Sequence, residues 1–458
     1  MAIATGHAYT LVITENAEVY GVGANFTGVL GNGTQENTDV FVPIQSEDND
    51  TTGFDGERAI VVATSHSHSA CVTQEGSLWT WGSPLVGKLG TAAFFADFDL
   101  RLRPDRVVPE LYGRSRARMV ALGIHFTMLL TVDGHIWNCG DGWKGQLGHG
   151  DRISRREFTM IDPVCFGGGL VTMIAAGCNH CMAQVAECGL LYTWGSANRG
   201  TLGHSADKLF VLIPNVLPAA TFGGVDIASF DAGSGYSMVI TVLGIVYATG
   251  GNAHGQLGLG HMIDSENFQR VGGTNSFENQ AVRTVSCGTK HSLFITNMDV
   301  LWWCGCGQRT GDPDVVFDAV WHLDPIRISS NVRFKVASAG YEHSAAIACN
   351  GDLYTWGCNV SYMKYKKGQN GAVLHNYKGN FAVPKRMHRI AFSYQRLGRW
   401  HAIQYKRALA IMMSSNLRLA NDSVIENFDP DLLRMMLSFT CFQPRDDTGS
   451  ALRRLFGF

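Results

Sequence analysis

Charge is scarce in this chain. Asp, Glu, Lys and Arg make up only 17% of its 458 residues, and the formal net charge is −2. Such a balanced chain has no global attraction to nucleic acid or to an anionic membrane. Direct contact with nucleic acid is therefore not expected. Long hydrophobic runs are missing too. The longest apolar-rich stretch, around Ser237 to Tyr247, is too short and too interrupted to cross a bilayer. The opening Met-Ala-Ile-Ala-Thr-Gly-His lacks the basic flank and apolar core of a signal peptide. These absences predict an intracellular chain, cytoplasmic or nuclear. The 12 cysteines are scattered and mostly occupy repeat positions, so they read as reduced, small core residues.

Glycine, in contrast, is abundant, with 53 residues. Its arrangement is a pair 17 residues apart, recurring seven times, with 18 in the fourth unit. Gly6, Gly123, Gly177, Gly233, Gly288 and Gly340 open a Gly-x-x-His-Ser-like string, and Ser65 stands in for glycine in the second unit. Gly23, Gly82, Gly140, Gly195, Gly250, Gly305 and Gly357 close a Leu-Tyr-Thr-Trp-Gly-like string. The closing glycines advance by 59, 58, 55, 55, 55 and 52 residues. A fixed period of this size signals a repeat architecture.

The fourth unit shows what one repeat is. Leu170–Ala176, His180–Val185 and Leu190–Trp194 are short runs of apolar and β-favouring residues. Glu187-Cys188-Gly189 is a hairpin turn signal, and Gly200-Thr201-Leu202-Gly203 begins a further element after a loop. Four short antiparallel strands in ~55 residues is the size of one propeller blade. An aromatic lies three residues before each closing glycine: Tyr20, Trp79, Trp137, Tyr192, Tyr247, Trp302 and Tyr354. That suits packing between neighbouring blades. Threonine recurs nine residues before the closing glycine at Thr14, Thr73, Thr131, Thr241 and Thr296. Gly-x-Leu-Gly follows in five units but is lost in the sixth and seventh, where Thr310 and Tyr362 stand at the first glycine. Period and strand content alone predict a propeller of roughly six to eight blades.

These strings resemble the regulator of chromosome condensation (RCC) repeat family over roughly residues 1 to 360, most fully in Trp137–Asp151 and Tyr247–His261. The resemblance implies an all-β fold, a seven-bladed β-propeller, here with a short α-helical C-terminal tail. We expect the propeller to occupy residues 1–397 and the tail 398–458. Residues 1–5 look too short for a full outer strand of the first blade, so 381–396 is expected to pair with that blade and fasten the ring. Gly398-Arg399-Trp400-His401-Ala402 looks like an eighth opening motif without a closing one. In the tail, Lys406–Met413 reads as a helix, and Asp429-Pro430-Asp431 caps another. Its bland role is a cap on the propeller; its sharper role is partner docking. Phe428–Phe439 resembles the opening of an F-box, which would imply a ubiquitin-ligase adaptor, but 19 residues are too few for the rest of that domain.

Several strings imitate chemistry. Gly82 to Lys88 nearly spells a phosphate-binding loop, but Leu89 replaces the magnesium-binding hydroxyl and the glycines are repeat glycines. Cys178-Asn179-His180-Cys181 has metal-ligand spacing without a second pair. His68, His180, His291 and His343 look catalytic, yet Tyr9, Phe126 and Tyr236 fill the same position elsewhere, which argues for packing and hydrogen bonding. No carboxylate completes a triad. We expect no catalytic residue, no cofactor and no metal.

Charged segments outside the repeat are the remaining candidates for partner contact. An acidic loop, Ser46–Glu57, contains Glu47, Asp48, Asp50, Asp55 and Glu57. Basic groups lie at Arg114–Arg118 and Arg152–Arg156, and Tyr362, Lys364, Tyr365, Lys366 and Lys367 interleave aromatics with cations. The leading functional expectation is a non-enzymatic protein-interaction scaffold. The family also implies guanine-nucleotide exchange on a Ran-like small GTPase, by a wedge that displaces phosphate and magnesium. Here the loops Gly82–Gly87, Gly140–Gly145 and Gly195–Gly200 are uniform and no expanded wedge is seen among them. Plant ultraviolet-B photoreceptor members imply repeated Gly-Trp-Arg-His-Thr strings, which Gly398–Ala402 does not reproduce.

Overall fold

In every unit the closing glycine faces the aromatic position of the opening string across an antiparallel ladder. The pairs are Tyr9 with Gly23, His68 with Gly82, Phe126 with Gly140, His180 with Gly195, Tyr236 with Gly250, His291 with Gly305 and His343 with Gly357. This pairing is why the spacing repeats. The closing glycines hold φ between 98° and 119°, and a Cβ on Gly82 would lie 2.7 Å from the Ser67 carbonyl. Only glycine tolerates that approach. In the first six units the ladder to the outer strand shifts register at this glycine, which bends the strand as a β-bulge does.

The structure is a computed structural model that describes residues 1–45, 54–91, 99–186, 189–204, 209–273, 276–306, 321–328, 332–341 and 343–357. They form seven antiparallel sheets, six of four strands and a seventh of three. The protein is an all-β, seven-bladed propeller. Blade 1 takes its strands from Ala2–Thr5, Tyr9–Ile13, Val19–Gly23 and Thr38–Pro43. Ala2–Thr5 is its inner strand and Thr38–Pro43 its outer one, so this blade draws its four strands from the start of the chain. Blade 7 shows Phe334–Ala339, His343–Ala348 and Leu353–Gly357. The expected closing segment 381–396, the 397/398 boundary and the helical tail lie outside the described residues.

The ring nevertheless closes within them. Tyr341 N–H donates to the Gly6 carbonyl at 3.2 Å, His343 Nε2 meets Thr10 Oγ1 at 2.9 Å, and Thr5 N–H donates to Ser338 Oγ at 3.0 Å. The first and last blades are thus joined by the same kinds of bond that join the others.

The core lies between blades. Second strands are almost wholly buried, and completely so in His68–Thr73, Phe126–Thr131 and Tyr236–Thr241. In four blades the aromatic three residues before the closing glycine receives a ring from the preceding inter-blade segment. Phe54, Phe166, Phe222 and Phe277 lie 5.3 to 5.7 Å from Trp79, Tyr192, Tyr247 and Trp302, edge to face. This second ring does not stand out in the repeat pattern. Its signal is a Phe 25 or 26 residues before the blade aromatic. The recurring threonines terminate hairpins: Glu18, Ser77, Ile245 and Val300 donate their N–H groups to Thr14, Thr73, Thr241 and Thr296 Oγ1.

Candidate functional site

The four histidines sit at the joints between blades. His68 Nε2 meets Thr127 Oγ1 at 3.0 Å, His180 Nε2 meets Ser237 Oγ at 2.9 Å, and His291 Nε2 meets Ser344 Oγ at 2.8 Å. His343 makes the matching bond to Thr10. Tyrosines do the same work. The Tyr9 and Tyr236 hydroxyls lie 2.9 and 2.8 Å from the His68 and His291 carbonyls and 2.8 Å from Ser69 and Ser292 Oγ. The seventh joint pairs Phe126 with Cys181, both fully buried in one apolar cluster. The aromatic and hydroxyl positions therefore change together, polar with polar and apolar with apolar.

Hydrogen-bond bookkeeping fixes the tautomer. The Ser and Thr hydroxyls each donate their only proton to a carbonyl of the preceding blade: Ser69 to Val29, Thr127 to Lys88, Ser237 to Thr201 and Ser292 to Gln256, at 2.6 to 2.9 Å. They must accept from the ring, so His68 and His180 carry the proton on Nε2. Ser65 Oγ then reaches His68 Nδ1 at 2.7 Å, which gives the one opening serine a role. Burial drives the His68 pKa well below its ordinary range, and takes His180 to about 3 and His343 to about 4. These rings are neutral at physiological pH and do not transfer protons there.

The acceptor carbonyls belong to the middle of Gly-x-Leu-Gly. That residue also accepts from the side chain just before the next closing glycine: Val29 from Trp81 Nε1 at 2.7 Å and Gln146 from Trp194 Nε1 at 3.0 Å. Cys181 and Cys304 point their thiols at the Gln146 and Gln256 carbonyls, both 3.3 Å away. Cys181 of the metal-like string is thus a joint residue, and burial raises its thiol pKa. No cluster able to hold a metal ion occurs among the described residues. The loop glycines sit on the next blade's outer strand; a Cβ on Gly87 would lie 2.3 Å from Arg156 Cα. Lys88, in the phosphate-loop lookalike, is fully buried with Nζ 2.7 Å from Ser67 Oγ.

A second set of joints escaped the sequence reading. Asp231, Ser286 and Ser338 occupy one inner-strand position in blades 5, 6 and 7. Each accepts a backbone N–H from the following blade: Cys287 at 2.7 Å, Ala339 at 3.0 Å and Thr5 at 3.0 Å. Burial pushes Asp231 up to about 6. Only the aligned repeat register exposes the equivalence, since Ala4, Ala63, Ala121 and Ala175 hold the position elsewhere.

Of the charged candidates, Asp48, Asp50, Tyr362, Lys364, Tyr365, Lys366 and Lys367 lie outside the described residues. Asp55 is exposed in a left-handed turn with φ 52° beside Gly56. Glu57 is structural: it accepts from Thr73 Oγ1 at 2.6 Å and Ser77 Oγ at 2.9 Å. Arg116 is spent on the Gln74 and Glu75 carbonyls.

Comparison with known proteins agrees with this geometry. The sequence pattern of the RCC1-like domain matches residues 1–311, and that of the regulator of chromosome condensation (RCC1) repeat matches 335–362. The chain is 31% identical over 310 residues to the ultraviolet-B receptor UVR8 of Arabidopsis thaliana, covering 68% of this chain and 66% of the receptor. It is 30% identical over 302 residues to the human E3 ubiquitin-protein ligase HERC2, covering 66% of this chain but only 6% of that protein. Among solved structures, Prp20p from Saccharomyces cerevisiae superposes with a TM-score of 0.67 at 20% identity, covering 82% of this chain and 89% of Prp20p. Human WBSCR16 gives 0.66 at 21% identity, covering 76% and 87%. With the repeats, the seven blades and the match over residues 1–311 in agreement, the chain belongs to the RCC1-like domain family.

Proposed function

We propose that this protein is a non-enzymatic interaction scaffold that binds protein partners through the loops at one end of its blades, inside the cell. One observation carries this reading. The described side chains that imitate catalytic or metal chemistry, His68, His180, His291, Cys181 and Lys88, are buried, His343 is half-buried, and all are bonded to neighbouring blades or loops. The scaffold is rigid, and its loops can vary without disturbing it. By sequence, Lys364, Lys366 and Lys367 are one surface to test, by joint replacement with alanine.

A second reading is guanine-nucleotide exchange on a Ran-like small GTPase. The Prp20p structure was reported with its binding to Gsp1p and histones, which supports this reading by kinship of fold. The loops from Gly82 to Gly87, Gly140 to Gly145 and Gly195 to Gly200 each span five residues and supply no wedge. A tagged pull-down from cell extract, in parallel with EDTA and with GTP plus magnesium, separates the two. The scaffold reading expects the same non-GTPase partners in both conditions. A small GTPase recovered only in EDTA overturns it in favour of exchange.

A further inference from the structure

The loops at the junction of blades 3 and 4 differ from those at the next junction. Between blades 4 and 5 the loop carries Asn198 and Arg199, and Arg199 Nε lies 3.7 Å from Asp264. Between blades 3 and 4, Trp143 takes the position of Asn198 and is 62% exposed. On the same loop Ile153 is 64% exposed, and on the edge of blade 4 Leu209 is 68% and Ile213 50% exposed. Isolated exposed apolar residues mean little, but four large ones on this loop and the facing edge of blade 4 are more apolar surface than the fold requires.

Within this cluster one cation is held in place. The Arg152 guanidinium carbon lies 5.5 Å from the Trp143 ring and 4.8 Å from the Phe210 ring of blade 4. Its Nε donates to the Trp143 carbonyl at 2.5 Å. Its Nη groups have no hydrogen-bond partner and no carboxylate among the described residues, and Lys144 beside Trp143 makes no ion pair there. Asp141 and Asp151, the acids of this loop, are committed. Asp141 accepts from Gln146 Nε2 at 3.0 Å and Ser154 Oγ at 3.2 Å, and Asp151 holds Arg155 with two bonds of 3.0 and 2.8 Å. The patch is apolar, positively charged and already ordered, so a partner binding it does not have to order the arginine.

We infer that this patch docks an acidic peptide segment of a partner protein, one with Asp or Glu next to a large apolar side chain. This rests on the scaffold reading and gives it a site. The planar guanidinium offers its two Nη donors to a carboxylate in the fork geometry that lysine cannot supply. Lys144 adds long-range attraction, and the apolar side chain covers Trp143 and Ile153. A solvated loop would instead leave its arginine unstacked and its neighbours polar.

The test is to pan a displayed random-peptide library on the intact chain and titrate the enriched peptides. They should carry Asp or Glu within two positions of Leu, Ile, Phe or Trp. Arg152→Glu and Trp143→Ala should each weaken binding about tenfold or more, with unchanged melting curves, since both residues are exposed. Arg152→Lys should lose most of the affinity although the charge is kept. Enriched peptides without acids, binding indifferent to both variants, or equal displacement by poly(U) would overturn the inference. Extract partners that bind Arg152→Glu as well as the parent would sink this site and leave the scaffold standing. An extract without partners would sink the scaffold, while the peptide titration would still judge the patch.

Discussion

The joint between blades 3 and 4 and the joint between blades 4 and 5 do the same task with opposite chemistry. At the first, Phe126 packs in one buried cluster with Cys181. At the second, His180 Nε2 donates to Ser237 Oγ, which passes its own proton to the Thr201 carbonyl. Both are fully sealed from water. The difference teaches that the joint needs a filled volume and matched partners, not a particular residue. A hydrogen bond gains about 1 kcal/mol net, but an orphaned buried donor or acceptor costs about 1–3 kcal/mol. Hence the two positions must change together.

The strongest way to break the comparison is His180→Phe alone. It removes the donor to Ser237 and should cost about 1–3 kcal/mol in urea unfolding. Adding Ser237→Cys rebuilds the apolar joint, and most of the loss should return. If the double variant is no better than the single, the joints are not interchangeable. Acid sharpens the contrast next. His68, His180 and His343 have folded pKa values depressed below the ordinary 6.5. Their stabilisation is therefore complete above pH 6.5 and falls as the pH drops toward 4, by up to about 1.4 kcal/mol per unit for each ring. The unfolding midpoint should fall between pH 7 and 5, and less steeply in the His180→Phe, Ser237→Cys variant.

Asp231 should behave oppositely. Its folded pKa of about 6 lies above the ordinary 3.8, so it costs stability as the pH rises through that window. Asp231→Asn keeps an acceptor for Cys287 N–H and should raise Tm at pH 7 by roughly one to three degrees, with little change at pH 4. A lower Tm at pH 7 would mean the charge itself stabilises the joint. The smallest effect is expected where the apolar joint is made polar. Cys181→Ser can still donate to the Gln146 carbonyl and should change stability by less than about 1 kcal/mol. Adding Phe126→Tyr should then recover that change by reproducing the Tyr9–Ser69 pair.

Much of this was legible in the residues. The closing glycines, the aromatic before them and the exchange of His with Tyr and Phe all pointed to packing instead of catalysis. What stayed hidden was partner identity. Tyr9 with Ser69 are 60 residues apart, and His343 with Thr10 are 333 apart. The Asp231 latch was invisible for a similar reason: alanine holds its position in four other blades, so nothing recurs to be seen. Arg152 stood out only as part of a basic group, and Trp143 not at all, until Phe210 arrived from the next blade.

The sequence by itself determined the blade. Hairpins, bulges and positive-φ glycines are local, set by backbone sterics within about 20 residues. It narrowed the number of blades to six to eight, and the seven sheets of the fold match the seven closing glycines. Only the tertiary structure decided what the polar residues are for. A hydrogen bond between blades depends on the distance between atoms brought together by ring closure, and local spacing carries no record of that distance.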